Sequence, residues 1–207
     1  MSIAYQIAIA AAPLPSNTPE DVAIQAVHNF GACVVARTPE GAREALALDY
    51  GTPDYEKRMR RYIQGHDYCI PFNGRMSSAG VLFAGSMAEA LLKSEVKPAG
   101  QLAQRIAYDP QREDIRARSP LEAMALCTVL NAPGVAAKIF DTEPATPEEA
   151  NAMKPLGNVL PQCLRKDMQL TLNKPALRSL LALAAWRIAN APRKLESAIR
   201  AQPEASH

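Results

Sequence analysis

Glycine is scarce, at 10 in 207 residues. Gly-rich phosphate loops are in short supply accordingly, and no Walker, Rossmann, G-x-S-x-G or H-E-x-x-H pattern occurs. Charge of one sign is lacking too. The 23 Lys and Arg against 21 Asp and Glu leave a net +2, which argues against a strongly basic nucleic-acid binder. No apolar run approaches the roughly 18 residues of a membrane span. Histidine occurs three times, at His28, His66 and His207. These shortages close the usual routes from sequence to activity. What stays legible is how the chain is built. Its 48% hydrophobic and 21% charged residues supply enough apolar surface for a core. Its length suits one large domain or two small ones.

Four cysteines are present: Cys33, Cys69, Cys127 and Cys163. Cys33 and Cys69 are 36 positions apart, and so are Cys127 and Cys163. An even count at regular spacing is the pattern of a disulfide framework in an oxidising compartment. Three pairings are formally open. Cys33–Cys69 with Cys127–Cys163 is favoured, because the equal spacing then has one cause. The alternative is four reduced cysteines acting as small core hydrophobes. Zinc is weaker: no C-x-x-C pair is present, and His66, three residues before Cys69, is matched by Leu160 before Cys163. The expected metal set is none.

The equal spacing suggests an internal duplication. Sliding the sequence by 94 places Cys33 on Cys127 and Cys69 on Cys163. It also places Pro39 on Pro133, Thr52-Pro53 on Thr146-Pro147, and Met59 on Met153. Apolar character matches at Leu46/Phe140, Phe83/Leu177 and Met87/Leu181. Two copies of one unit are expected, over 19–94 and 119–191. A linker covers 95–118, an apolar segment 1–18, and a tail 192–207.

Ser-Pro and Thr-Pro steps mark helix starts, since the hydroxyl caps an orphan N–H and Pro suits the first helical position. They stand at Thr38-Pro39, Thr52-Pro53, Ser119-Pro120 and Thr146-Pro147. Helical periodicity then predicts helices near 19–36, 39–49, 53–65 and 78–93. The second unit repeats them near 119–131, 133–141, 147–159 and 174–190, with a break expected at Pro155. The helices at 78–93 and 174–190 are apolar on several sides and should be central; the latter holds the only tryptophan, Trp186. Gln169–Leu172 and Gly74–Ser77 are candidates for a short hairpin-like contact between units. Lys194–Ala201 is a candidate helix, with 202–207 frayed. The fold class is all-α: two similar four-helix units, each with a disulfide tying its first helix to the segment after its third.

Residues Ile3–Leu14 are apolar and alanine-rich, with A-x-A sites such as Ala8-Ile9-Ala10, yet no Lys or Arg precedes them. Either the true start lies upstream of Met1, or the run is an apolar segment covering the core. With the cysteines, the balance favours export to the periplasm over the cytoplasm.

Cys33-Val34-Val35, followed by Pro39 and Ala42, and the run Val81-Leu82-Phe83-Ala84-Gly85-Ser86-Met87-Ala88-Glu89-Ala90-Leu91-Leu92 resemble a family of exported alphaproteobacterial proteins of unassigned activity. That family is similar in its repeated helical unit and cysteine positions. The resemblance implies export. It implies no cofactor and no catalytic residue.

Three functional readings follow. The first is a non-enzymatic, exported helical protein with a structural or partner-binding role, its partner and oligomeric state unassigned. The second is a cytoplasmic binder of nucleic acid or acidic protein through Lys57, Arg58, Arg60 and Arg61, a basic cluster flanked by Tyr55 and Tyr62. The second unit has only Lys154 there, so a role shared by both units is not expected. The third is a small enzyme with its site near His66, in His66-Asp67-Tyr68-Cys69. His28, amid apolar positions, is expected to be structural.

Overall fold

The computed structural model describes residues 18–70, 78–97, 99–165 and 171–194. Ten α-helices run through them: α1 (Pro19–Arg37), α2 (Pro39–Ala47), α3 (Pro53–Gly65), α4 (Gly80–Glu95), α5 (Leu102–Arg105), α6 (Pro120–Asn131), α7 (Pro133–Phe140), α8 (Pro147–Met153), α9 (Leu156–Cys163) and α10 (Lys174–Ala189). The protein is all-α. The hairpin-like contact is not seen where it can be checked: 171–173 are not strand, and the remaining candidates at 74–77 and 169–170 lie outside the described residues. The isolated β-bridge that is present joins Arg112 to Arg193. The segment 1–17, most of the candidate helix at 194–201, and His207 also lie outside the described residues.

Local chemistry sets the boundaries. Thr52, Ser119 and Thr146 accept the N–H groups of Tyr55, Glu122 and Glu149, and Pro follows each cap. Thr18 and Asp21 form a reciprocal capping box at the start of α1. Thr38 departs from expectation. Its side chain does not cap α2. It closes α1 and opens α2 at once, and its hydroxyl donates back to the Val34 carbonyl at 3.0 Å. The third helix of the second half is divided into α8 and α9 at Lys154-Pro155. Proline has no N–H for the ladder, which is why the break falls there.

α4 and α10 pack on each other at the centre. α1 lies on α4, as α6 lies on α10; α2 contacts α1, α3 and α4, as α7 contacts α6, α8 and α10. The α4 and α10 boundaries are 94 positions apart at both ends, as are the starts of α2 and α7 and the ends of α1 and α6. Both halves share one continuous core, including Phe30, Phe83, Met87, Leu91, Phe140, Leu181 and Trp186. The 95–118 segment contributes to it, because Leu102 and Ile106 are buried in the same cluster. Two glycines let helices approach closely. A Cβ on Gly31 would fall 1.9 Å from Ser86 Oγ, and one on Gly85 only 2.5 Å from the Ser179 Cα.

The cysteines pair as Cys33–Cys69 and Cys127–Cys163, with Cα–Cα distances of 5.8 and 5.6 Å. Each ties the last turns of the first helix in its half to the end of the third helical segment. Among the described residues no single helix is long and apolar enough to cross a membrane; α6 and α7 together have the length and apolarity, but they meet at a 100° bend.

Candidate functional site

α3 carries the basic cluster. Lys57, Arg60 and Arg61 are exposed, and Arg58 pairs with Glu44 at 3.1 Å. Spacing of three and four residues puts Lys57, Arg60 and Arg61 on one solvent-facing strip. Tyr55 and Tyr62 are instead packed against the core, so no exposed aromatic from this helix interleaves the charges.

His66 is buried at the end of α3. Its Nδ1 lies 2.9 Å from the Tyr62 carbonyl and its Nε2 3.3 Å from the Thr38 hydroxyl. The ring stacks on Tyr62. Both ring nitrogens therefore serve the α1–α2–α3 junction. Tyr68 is exposed beneath the Arg37 guanidinium. Among the described residues no group of three His, Cys, Asp or Glu is placed to hold a metal ion.

Sequence reasoning missed the buried charge cluster between α4 and α10. Arg178 forks onto Glu89, with Nε to Oε2 at 2.8 Å and Nη2 to Oε1 at 2.7 Å. Its Nη1 donates to Glu149 at 2.8 Å, and its Nη2 to the Thr142 carbonyl at 2.7 Å. His28 and Lys93 approach the same Glu89 oxygen at 3.4 and 2.8 Å. Burial alone would raise the Glu89 carboxyl; the hydrogen bonds from His28 and Arg178 outweigh it and hold it at about 2. The same two carboxylates outweigh the burial that would lower Arg178, and raise it. Glu149 also accepts the N–H of Ala145, whose φ of 57° is left-handed. The available signal was a lone Glu in the apolar run of α4 and a lone Arg in the leucine-rich run of α10. Charged residues are seldom fully buried unless paired.

The second missed feature is a cleft of about 400 Å³, within the range of small-ligand sites. Leu46 and Leu48 at the end of α2, Tyr55 of α3, Val81 of α4, Leu121 of α6, and Leu180, Leu183 and Trp186 of α10 form its walls. Two arginines stand at it, both engaged. Arg118 meets Asp49 at 2.6 Å and the Leu48 carbonyl at 2.9 Å. Arg187 pairs with Glu122 and donates to the Arg116 carbonyl at 3.2 Å. Burial raises the Tyr55 phenol, keeping it neutral. Trp186 is buried, and its Nε1–H has no hydrogen-bond partner among the described residues.

The cleft and the surroundings of the charge cluster share lining positions that differ by 94 in sequence. A shift of 94 carries Val27 to Leu121, His28 to Glu122, Ser86 to Leu180, Glu149 to Tyr55 and Pro175 to Val81. The first of each pair lines a void of only about 20 Å³ beside Arg178; the second lines the open cleft. The void beside Arg178 is filled by paired charges, and the cleft beside Trp186 is mostly apolar and open. No known family model matches the chain, and neither a curated protein nor a solved structure shows significant similarity to it.

Proposed function

We propose that the protein is an exported, non-enzymatic binding protein, in which two helical units of duplicated origin enclose one small-molecule site, the cleft beside Trp186. The single observation that carries this reading is the contrast between the void beside Arg178 and the cleft beside Trp186. A core that closes one of them to about 20 Å³ leaves the other at about 400 Å³. An open cleft of that size with leucine walls has the dimensions and apolar lining of small-ligand sites. The common offset in α4 and α10, in the two disulfides and in the lining positions supports duplication. The meeting of Gly85 with Ser179, its own counterpart, supports an approximate two-fold relation, since equivalent residues touch one another at such an axis. Export is supported by the disulfides, which persist in oxidising compartments, and it is what the family resemblance implies.

Two experiments test this. Native mass spectrometry of protein purified gently from its own host should find a bound small molecule at one per chain. It should be missing from Leu121→Phe/Leu180→Phe, which fills the cleft with apolar volume. Equal loading of both forms would reject the site. Non-reducing peptide mapping of the same material should recover both cystine pairs; four free thiols would reject export.

A further inference from the structure

We propose a second site, in the cavity of about 430 Å³ at the C-terminal ends of α4 and α10, that takes a small organic phosphate ester with a hydroxylated body. The cavity shares no wall residue with the cleft beside Trp186, so it stands independently of the binding reading above. Its volume is within the range of small-ligand sites. Glu95 and Val96 bound it at the end of α4; Ala189 and Asn190, each 94 positions later, bound it at the end of α10. The segment between the two halves adds Lys97, Arg105 and Arg112.

Arg112 is the anchor. Its side chain is only 10% exposed. Nη1 donates to the Arg105 carbonyl at 2.8 Å and to the Ile188 carbonyl at 2.7 Å, and Nε lies 3.5 Å from Asp109. Nη2 has no hydrogen-bond partner among the described residues. It is not sealed off either: among them, the inaccessible side-chain atom without a partner is Trp186 Nε1. Backbone pairing holds the segment in place, with the Glu113 N–H on the Pro192 carbonyl and the Lys194 N–H on the Gln111 carbonyl, both at 2.9 Å. Burial lowers the Arg112 pKa, and the nearby Arg105 lowers it further against the opposing Asp109. A guanidinium so placed stays charged and is short of negative charge around it.

The cations exceed what the fold asks of them. A helix C-terminus carries about half a negative charge, so the ends of α4 and α10 together answer about one cation, and Arg112 meets the α10 end directly. Glu95, the carboxylate in the wall, is taken by Arg43 at 2.6 Å. Lys97 and Arg105 are exposed and have no ion-pair partner among the described residues. A phosphate ester brings about two negative charges near neutral pH, and its oxygens match the arginine fork. A water's share of liquid volume is about 30 Å³, so a bare phosphate ion of five heavy atoms would leave most of the cavity empty. The remaining wall is amide. Gln101 and Gln104 can both donate to and accept from hydroxyl groups. Asn190 spends its Nδ2 on the Trp186 carbonyl at 2.9 Å and keeps its oxygen to accept.

Calorimetric titration of the full-length, oxidised protein at low salt with glucose 6-phosphate, glucuronate, glucose and inorganic phosphate separates these contributions. Glucose 6-phosphate should bind one per chain. Glucuronate, with one negative charge, and inorganic phosphate, with no body, should each bind about tenfold more weakly, and glucose more weakly still. Lys97→Gln/Arg105→Gln should weaken glucose 6-phosphate about tenfold without changing the melting temperature of the ligand-free protein, since both side chains are exposed. Arg112→Lys keeps a cation but loses the fork and should weaken it as well; should that variant fail to fold, the exposed pair still decides. Lys57→Gln/Arg60→Gln removes the same charge from α3, outside the cavity, and should keep the parent affinity. So should Leu121→Phe/Leu180→Phe, which alters only the cleft. Glucuronate or glucose binding as tightly as glucose 6-phosphate would overturn the phosphate ester as ligand, and inorganic phosphate doing so would overturn the hydroxylated body. An equal loss in the α3 variant would reduce the attraction to general charge and overturn the site, as would no binding of glucose 6-phosphate up to about 10 mM.

Discussion

Gly85 of α4 and Ser179 of α10 stand 94 positions apart in sequence and against one another in space. A Cβ on Gly85 would lie 2.3 Å from the Ser179 Cβ and 2.5 Å from its Cα. Backbone cannot swing aside as a flexible side chain does, so one of the two central helices must move. Overpacking of this kind costs about 1–3 kcal/mol, against a helix-propensity gain of up to about 1 kcal/mol from Gly to Ala. Gly85→Ala is expected to be less stable than the unmodified protein by about 1–2 kcal/mol in urea unfolding. Gly134→Ala, in α7, has nothing within 4 Å of the new methyl and should be neutral or slightly stabilising. Equal stability of the two variants would show that α4 and α10 are not in close contact at this point.

The two disulfides close loops of equal length, with a sequence separation of 36 each. Chain entropy alone assigns each about 3–4 kcal/mol, acting on the unfolded chain. Cys33→Ser/Cys69→Ser and Cys127→Ser/Cys163→Ser should therefore lose similar amounts, and reduction with dithiothreitol should lower the melting temperature more than either double substitution. A loss below about 1 kcal/mol in both variants would mean that native contacts, not the bridges, hold the helix ends.

The helices were legible because their punctuation is local. Thr52-Pro53 and Thr146-Pro147 need only their own hydroxyl and ring to open α3 and α8. Pro155 needs only its missing N–H to split α8 from α9. The cystine pairs were legible for a different reason, the equal spacing. Thr38 does stand at the N-cap of α2, as its Thr-Pro step predicts, but its hydroxyl answers to α1 because two helices share the residue. The candidate site was not legible from any single segment. Arg178 meets Glu89 across 89 positions, and no periodicity reports such a contact. The cleft depends on what α2, α3, α4, α6 and α10 leave between them, a property of packing that no single segment encodes. The offset of 94 did hold a trace of it: Arg178, Glu89 and Glu149 fall on Ala84, Leu183 and Tyr55.

The charge cluster is costly to break and cheap to replace. Arg178→Met leaves Glu89 and Glu149 facing each other's burial without their shared cation, which costs about 3–5 kcal/mol. Arg178→Met/Glu89→Leu/Glu149→Gln removes all three buried charges, while His28 and Lys93 retain access to water. The triple variant should recover more than half of that loss in chemical denaturation. A triple variant less stable than Arg178→Met alone would mean that the cluster contributes net stability beyond satisfying its own buried ions.

Acid should act through Glu89. Its carboxyl is held at about 2 in the folded protein, against an ordinary value of 4.5. A carboxylate depressed on folding contributes stability that is fully present above its unfolded pKa and lost as pH falls through its folded one. The loss should begin below about pH 5 and continue to about pH 2. The size is about 3 kcal/mol, from about 1.4 kcal/mol per unit of pKa difference. Unfolding free energies measured in urea at pH 7, 4, 3 and 2 should fall along this window in the unmodified protein. Arg178→Met/Glu89→Leu/Glu149→Gln carries no carboxylate at either position and should show a shallower decline. Glu56→Gln, at an exposed position, should keep the parent slope. Parallel curves for the triple variant and the parent would place the acid sensitivity elsewhere and remove Glu89 as its source.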